Sequence, residues 1–305
     1  MKKNKPFGYY PGCSGLGTSI EYEKSTRAVI AALNVPTVDI KDWNCCGSTP
    51  AHTIDHALST ALSARNFILA EEQGLSDVIT PCPSCLKNLR TALTRMKDEH
   101  VGPKAVKLLG GKSLCEEHSV SSVLQVLHEE VPANVVASQV SSPLTGLKVV
   151  PYYGCLMNRP AESMRFGDPE NPMAMDDLLA AAGATVLPFP LKVECCGASM
   201  GIPLNEAVTR QGGRILDLAA SLGADVIAVA CPLCQMNLDM RQGQISKANN
   251  AQYTIPVMYY TQLLGLAFGL PMKSLGLEKM IVSPNPVLDK LKIAHDNNTK
   301  SEDAA

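Results

Sequence analysis

Short apolar runs alternate along this chain with longer stretches whose apolar residues recur at helical spacing, and the alternation is written twice. Residues 7–10 are short and aromatic and read as a strand. Ile20, Ala28, Val29 and Ala32 then lie on one helical face within residues 19–33. The β-branched run 35–40 is a second strand. Ser48 or Thr49 caps a helix with Pro50 in its first turn, and Gly74 closes it after about residue 73. Residues 77–80 are a third strand, followed by a helix to about residue 100. The second half repeats this order with strands at 147–153, 185–189 and 225–230, and helices at 173–182, 204–222 and after residue 234. A further helix ends each half, at 120–130 and 260–268. The polar stretch 131–146 reads as a linker, and the tail from about residue 283 as loose. Alternating strands and helices imply an α/β fold with a small parallel sheet and flanking helices in each half. The expected division is 1–140 and 141–305, with 283–305 the loose tail.

The ends of these strands carry a repeated cysteine pattern. Tyr9-Tyr10-Pro11-Gly12-Cys13 is matched by Tyr152-Tyr153-Gly154-Cys155. Cys45-Cys46-Gly47 is matched by Cys195-Cys196-Gly197, and Cys82-Pro83-Ser84-Cys85 by Cys231-Pro232-Leu233-Cys234. Cys46 to Cys82 spans 36 positions and Cys196 to Cys231 spans 35; Cys13 to Cys45 spans 32 and Cys155 to Cys195 spans 40. The eight extra residues fall in the loop 158–172, where an insertion is tolerated. In a parallel sheet all strand-to-helix loops share one edge, so five thiols distant in sequence meet in each half. Each loop also opens a helix, whose free N–H groups favour negative charge.

Five thiols are an odd number for the common sites. Structural zinc takes four ligands, often as two Cys-x-x-Cys pairs, and each half has one such pair. Thiol–disulfide exchange needs only that pair. Iron–sulfur clusters suit soft thiolates, and an ordinary four-iron cubane uses four of them. A fifth thiol is then either spare or part of a cluster that is not an ordinary cubane.

The doubled pattern resembles the paired cysteine-rich (CCG) domains of the heterodisulfide reductase B subunit family, over roughly residues 7–270. That resemblance implies two tandem homologous CCG domains. It implies that Cys13, Cys45, Cys46, Cys82 and Cys85 hold one noncubane [4Fe-4S] cluster, and Cys155, Cys195, Cys196, Cys231 and Cys234 a second. The implied enzyme is a CoB-CoM heterodisulfide reductase-like oxidoreductase subunit. Its clusters flank a disulfide and reduce it to two thiols, or run the reverse. The implied partners are a C subunit with ferredoxin-type clusters and a flavin-containing A subunit. Related domains occur in glycolate and lactate oxidase subunits and in thiol-linked fumarate reductases. No extra ferredoxin-type cysteine run and no glycine-rich dinucleotide fingerprint is present, so the chain resembles the stand-alone B subunit. An electron-relay subunit that takes no substrate is the alternative, and a zinc-stabilised structural module a third. The disulfide or thiol itself and the direction of reaction stay open.

Composition narrows the setting. The 305 residues are 46% hydrophobic with net charge −2, which leaves no electrostatic footprint for nucleic acid. The basic start Met1-Lys2-Lys3 is not followed by an apolar signal-type stretch, and no run approaches the ~18 apolar residues of a membrane span. A cytoplasmic protein is expected, in which clustered cysteines bind metal or do redox chemistry rather than staple the fold. Of the eleven cysteines, Cys115 falls outside both sets and reads as a buried free thiol. His52 and His56, four apart on one expected helix, read as a helix face or as a substrate or proton-donating pair. His118 and His128 read as surface or core residues. Tyr9, Tyr10, Tyr152 and Tyr153 are core packing or cluster shielding. Trp43 is placed to wall the first site. Asp39, Asp42, Lys192 and Glu194 are expected to be solvated, with Glu194 positioned to lower the potential of a neighbouring cluster.

Overall fold

A computed structural model describes residues 5–115 and 117–292, Thr49 by its backbone alone. In the first half β1 (Phe7–Tyr9), β2 (Thr37–Asp39), β3 (Asp77–Thr80) and β4 (Ser119–Ser122) form one sheet in the order β2-β1-β3-β4. In the second, β5 (Lys148–Tyr152), β6 (Thr185–Val186), β7 (Val226–Val229) and β8 (Val257–Tyr259) form another in the order β6-β5-β7-β8. Every pair is parallel, with Val78 opposite Val120 and Ile227 opposite Val257. The expected α/β class with two parallel sheets therefore holds. All four residues of β7 are buried, as helix-covered parallel strands require.

The edge strands β4 and β8 are not marked in the sequence pattern. Ser119-Val120-Ser121-Ser122 has one apolar residue and no alternation, and its strand form comes from pairing with Asp77–Thr80. The helix that follows begins at Val123, with Ser122 Oγ accepting from the Gln125 N–H at 2.9 Å. Val257–Tyr259 runs directly into the helix Tyr260–Ala267. The single helix expected over 48–73 is two, Ser48–Ile54 and His56–Glu71. Asp55 between them is extended, and its carboxylate accepts from the Leu58 N–H at 2.9 Å, a preferred helix start. His52 and His56 thus stand on different helices and share no face. The helix after Cys82 stops at Arg95 rather than near residue 100. The strand expected over 185–189 is only Thr185–Val186. The 131–146 stretch contains the helix Ala133–Gln139 and buries Val136 and Leu144. The tail is not loose throughout. Asn285–Lys290 is helical, buries Val287 and Leu288, and Lys290 Nζ lies 2.6 Å from Asp225. The rest of the expected tail, 293–305, lies outside the described residues.

One tie between the halves is Tyr22, on the helix Ile20–Ala32. Its ring stacks on Tyr259 with centroids 4.0 Å apart. Its hydroxyl lies 3.2 Å from both the Pro81 and the Ala230 carbonyl oxygens. These carbonyls stand immediately before Cys82 and Cys231, so one phenol spans the two Cys-Pro-x-Cys loops. Ser25 Oγ meets Thr261 Oγ1 at 2.8 Å beside it. Tyr22→Phe keeps the stack and removes the shared donor. The expected cost is about 1 kcal/mol in urea unfolding; an unchanged midpoint contradicts the tie.

Candidate functional site

Each half gathers its five thiols at the carboxyl edge of its sheet. In the first, Cys13 and Cys45 Sγ are 3.5 Å apart and Cys46 and Cys85 Sγ 3.6 Å. Cys45 also meets Cys46, and Cys82 meets Cys85, so the five sulfurs form one continuous chain of neighbours. In the second, Cys196 and Cys234 Sγ are 3.7 Å apart, Cys155 meets Cys195, and Cys231 meets Cys234. These separations are far beyond a disulfide bond length, and all ten cysteines are free thiols.

The local sequence explains how the thiols are held. Gly47 and Gly197 both have φ of +82°, in the left-handed region that glycine enters without steric cost. The turn directs backbone N–H groups back at the vicinal pair: Gly197 N lies 3.3 Å from Cys195 Sγ. The Ser48 and Ala198 N–H groups likewise favour the thiolates of Cys46 and Cys196. In Cys-Pro-x-Cys the first cysteine precedes the helix and proline opens it. The free Ser84 and Cys85 N–H groups, with a hydrogen bond from the Cys85 thiol foremost, lower the Cys82 pKa. Gly12 and Gly154 have a different role. A Cβ there would lie 2.9 Å from Cys85 Sγ and 2.8 Å from Cys234 Sγ, so only glycine leaves room for the last thiol of each set. The shared Gly-Cys dipeptide was the signal for this in the sequence.

Crowding divides the thiols into proton donors and acceptors. Hydrogen bonds from Cys45 and then Cys85 bring Cys46 down to about 3, with help from the Asn88 amide at 3.5 Å. The hydrogen bond from Cys155 brings Cys195 down to about 6. Cys45, Cys85, Cys155 and Cys234, which hold the protons, are pushed up. Each set therefore collects negative charge among soft donors. Among the described residues no three His, Cys, Asp or Glu side chains stand so as to hold a single metal ion. Five converging thiols, with room kept for the innermost by a glycine, fit an iron–sulfur group.

Tyr10 and Tyr152 back the two sets equivalently, their hydroxyls donating to the Asn44 carbonyl at 2.8 Å and the Glu194 carbonyl at 2.7 Å. Burial, then the nearby cysteine charges, raise both phenols far above their ordinary value. Trp43 packs edge-on to Tyr10 at 5.4 Å. Tyr9 instead bonds Glu23 at 2.6 Å, and Tyr153 bonds Asp176 at 2.7 Å. Asp176 also holds Lys192 at 2.8 Å, and Lys192 is buried rather than solvated. Asp39 and Asp42 are exposed and pair with Arg27 and Arg65; Glu194 is exposed. Cys115 is exposed rather than buried. His118 is buried between Glu71 and the Ser76 carbonyl, and His128 pairs with Asp177 at 2.9 Å.

A cavity of about 230 Å³ opens between the halves. All five cysteines of the second set line it, with Tyr153 and Leu233. The first half contributes Ser48, His52, Ser84, Lys87 and Asn88, but none of its cysteines. This polar wall, His52 apart, was not legible as a site from the sequence.

A family model described as "Cysteine-rich domain" (CCG) matches residues 7–90 and 149–239. The chain belongs to the CCG family. Its two CCG copies are the two cysteine-bearing sheets described above. Relatives span nearly the whole chain. The 8-methylmenaquinol:fumarate reductase membrane anchor subunit of Wolinella succinogenes is 34% identical, over 91% of this chain and 97% of its own length. The B subunit of a ferredoxin/F(420)H(2)-dependent CoB-CoM heterodisulfide reductase of Methanosarcina acetivorans is 31% identical, over 88% and 91%. A hypothetical protein of Helicobacter pylori, solved by crystallography, shares the fold with a TM-score of 0.71 at 15% identity. The alignment covers 92% of this chain and 52% of that one, so this CCG chain spans about half of it. Among the described residues no helix is long and apolar enough to cross a membrane. The family and the clustered thiols make this CCG chain an iron–sulfur redox subunit.

Cys195 is exposed and its thiol is held near 6, so in metal-free protein it is reactive at neutral pH. Iodoacetamide labelling followed by peptide mass mapping is expected to rise with pH through about 6 at Cys195. Cys155, pushed the other way, should lag far behind it. Equal labelling of the two at pH 7 contradicts the proton sharing.

Proposed function

We propose that this chain is the catalytic subunit of a heterodisulfide reductase-like complex, cleaving a disulfide to two thiols or running the reverse. The observation that carries the reading is the cavity between the halves, walled on one side by all five thiols of the second set. Relatives named as heterodisulfide reductase B subunits, at 31% and 29% identity, support it. The proposed ligands are Cys13, Cys45, Cys46, Cys82 and Cys85 for one noncubane [4Fe-4S] cluster, and Cys155, Cys195, Cys196, Cys231 and Cys234 for the other. When bound, such clusters supply electrons one at a time and affinity for sulfur. The net reaction takes one disulfide, two electrons and two protons to two thiols. The electrons come from a one-electron iron–sulfur donor on a C-type subunit, itself served by a flavin-bearing A-type subunit. The protein's own part is to hold the thiolates with backbone N–H groups, to back each set with Tyr10 or Tyr152, and to limit water by burial. The division at residues 140 and 141 and a cytoplasmic location belong to the same proposal.

A second reading is an electron relay without a substrate of its own, serving a quinol- or fumarate-linked enzyme. The relative at 34% identity, named a membrane anchor subunit of such an enzyme, favours it.

Iron, sulfide and zinc analysis of anaerobically purified protein tests the cofactor. About eight irons per chain are expected for two four-iron clusters, and two zincs would overturn the assignment. Cys196→Ser, deep in the second set, should lower iron by about half and abolish reduction of small disulfides by a low-potential dye. Reduction that persists with that cluster gone refutes catalysis at the second set. A cluster spectrum indifferent to every thiol and disulfide supplied points to the relay.

A further inference from the structure

The cavity has two chemically different walls, and the one from the first half is polar and proton-active. His52 borders it from the short helix Ser48–Ile54. Its Nδ1 lies 3.2 Å from the Ser48 carbonyl oxygen. A carbonyl only accepts, so Nδ1 carries the hydrogen, and Nε2 is the nitrogen left to gain or lose a proton. Among the described residues no hydrogen bond occupies Nε2. Across the cavity stand the thiols of the second half. The geometry therefore places a titratable ring from one half opposite the sulfur face of the other. The corresponding stretch after Gly197 has no histidine, so the arrangement exists once, where the cavity is.

We propose that His52 exchanges the proton of a substrate sulfur held in this cavity against the second thiol set. The inference rests on the disulfide reading above. In the reductive direction the Nε2–H bond of the charged ring breaks. The lone pair of the substrate thiolate takes that proton, an S–H bond forms, and the neutral ring regains a proton from water. The two electrons come from the one-electron iron–sulfur donor already named. In reverse, the S–H bond breaks and the proton returns to Nε2. The other charged and titratable groups around the cavity are Lys87, on the helix Pro83–Arg95, Tyr153, whose hydroxyl donates to Asp176, and the five thiols. The helix His56–Glu71 packs against the His52 helix. Asp55 and His56 stand at its amino end, Asp55 engaged by the Leu58 N–H, and its Arg65 is paired with Asp42. Lys87 lines the same cavity and suits a thiol that carries a carboxylate.

The test counts protons on thiol binding. Full-length protein with its clusters is titrated anaerobically with 3-mercaptopropionate and 2-mercaptoethanol, by calorimetry in buffers of different ionisation enthalpy. At about pH 7.5 a free thiol carries its proton. Wild type should release close to no protons, because the thiol proton passes to His52. His52→Gln and His52→Asn, at equal iron content, should release about one. Their affinity should rise about tenfold per pH unit, while that of wild type stays nearly flat between about pH 7 and 8. Wild type alone gives a second measure that needs no variant. Its count should climb toward one as the pH is lowered far enough for the unliganded ring to be protonated already. Equal counts in wild type and variants, or a wild-type count that ignores pH, overturn the role of His52 and leave the disulfide reading standing. Failure of either thiol to bind wild type overturns that reading, and the role of His52 with it.

Discussion

Parallel pairing of β1 with β3, and of β5 with β7, is the constraint from which the site follows. A strand that leaves a parallel sheet must return through a helix, so every strand-to-helix loop of one half lies at one edge. Cys13, the pair at Cys45 and the pair at Cys82 and Cys85 occupy three such loops. They come within 3.5–3.6 Å of one another although 32 to 39 positions separate the paired sulfurs. The second half repeats the construction with 3.7 Å between Cys196 and Cys234. Nothing local to any one loop could assemble five thiols.

Gathering thiols in this way concentrates charge. Turn and helix N–H groups favour thiolates, while burial and mutual repulsion oppose them, and proton sharing between neighbours is the compromise that the protein alone can reach. Cys46 at about 3, beside a Cys45 pushed far upward, is that compromise at its most extreme. A group containing several positive metal atoms removes the conflict, because it takes every thiol as thiolate at once. The same logic explains the surroundings. Tyr10 and Tyr152 shield the sulfurs while their hydroxyls satisfy the Asn44 and Glu194 carbonyls, and Gly12 and Gly154 keep clear the space that the innermost sulfur fills.

Much of this was legible in the sequence because it is written in residue types with few alternative uses. The doubled cysteines, the glycine after each vicinal pair and the alternation of strand and helix gave the class, the sheet edge and the convergence. What escaped depended on tertiary partners. β4 is nearly all serine and becomes a strand only by lying beside Asp77–Thr80. The helix over 48–73 divides at Asp55, whose carboxylate is as good a helix start in mid-pattern as at an end. Lys192 looked solvated because lysine almost always is. Its burial needs Asp176, sixteen positions away, and the Pro172 carbonyl at 3.0 Å. The two Tyr-Tyr pairs are not equivalent residue by residue: counted back from Cys13 and Cys155, Tyr10 matches Tyr152, and their hydrogen bonds to the Asn44 and Glu194 carbonyls agree. The tie through Tyr22 also escaped, since nothing in residues 20–32 marks it as the donor shared by two distant loops.

The central claim is that each sheet edge holds one polynuclear iron centre on its own five cysteines. Anomalous diffraction at the iron absorption edge, from crystals grown without oxygen, tests it most directly. The account predicts two separate iron peaks. One lies within bonding distance of sulfurs from Cys13, Cys45, Cys46, Cys82 and Cys85, and the other among Cys155, Cys195, Cys196, Cys231 and Cys234. A single peak shared between the halves, or peaks that appear only at the zinc edge, would contradict it.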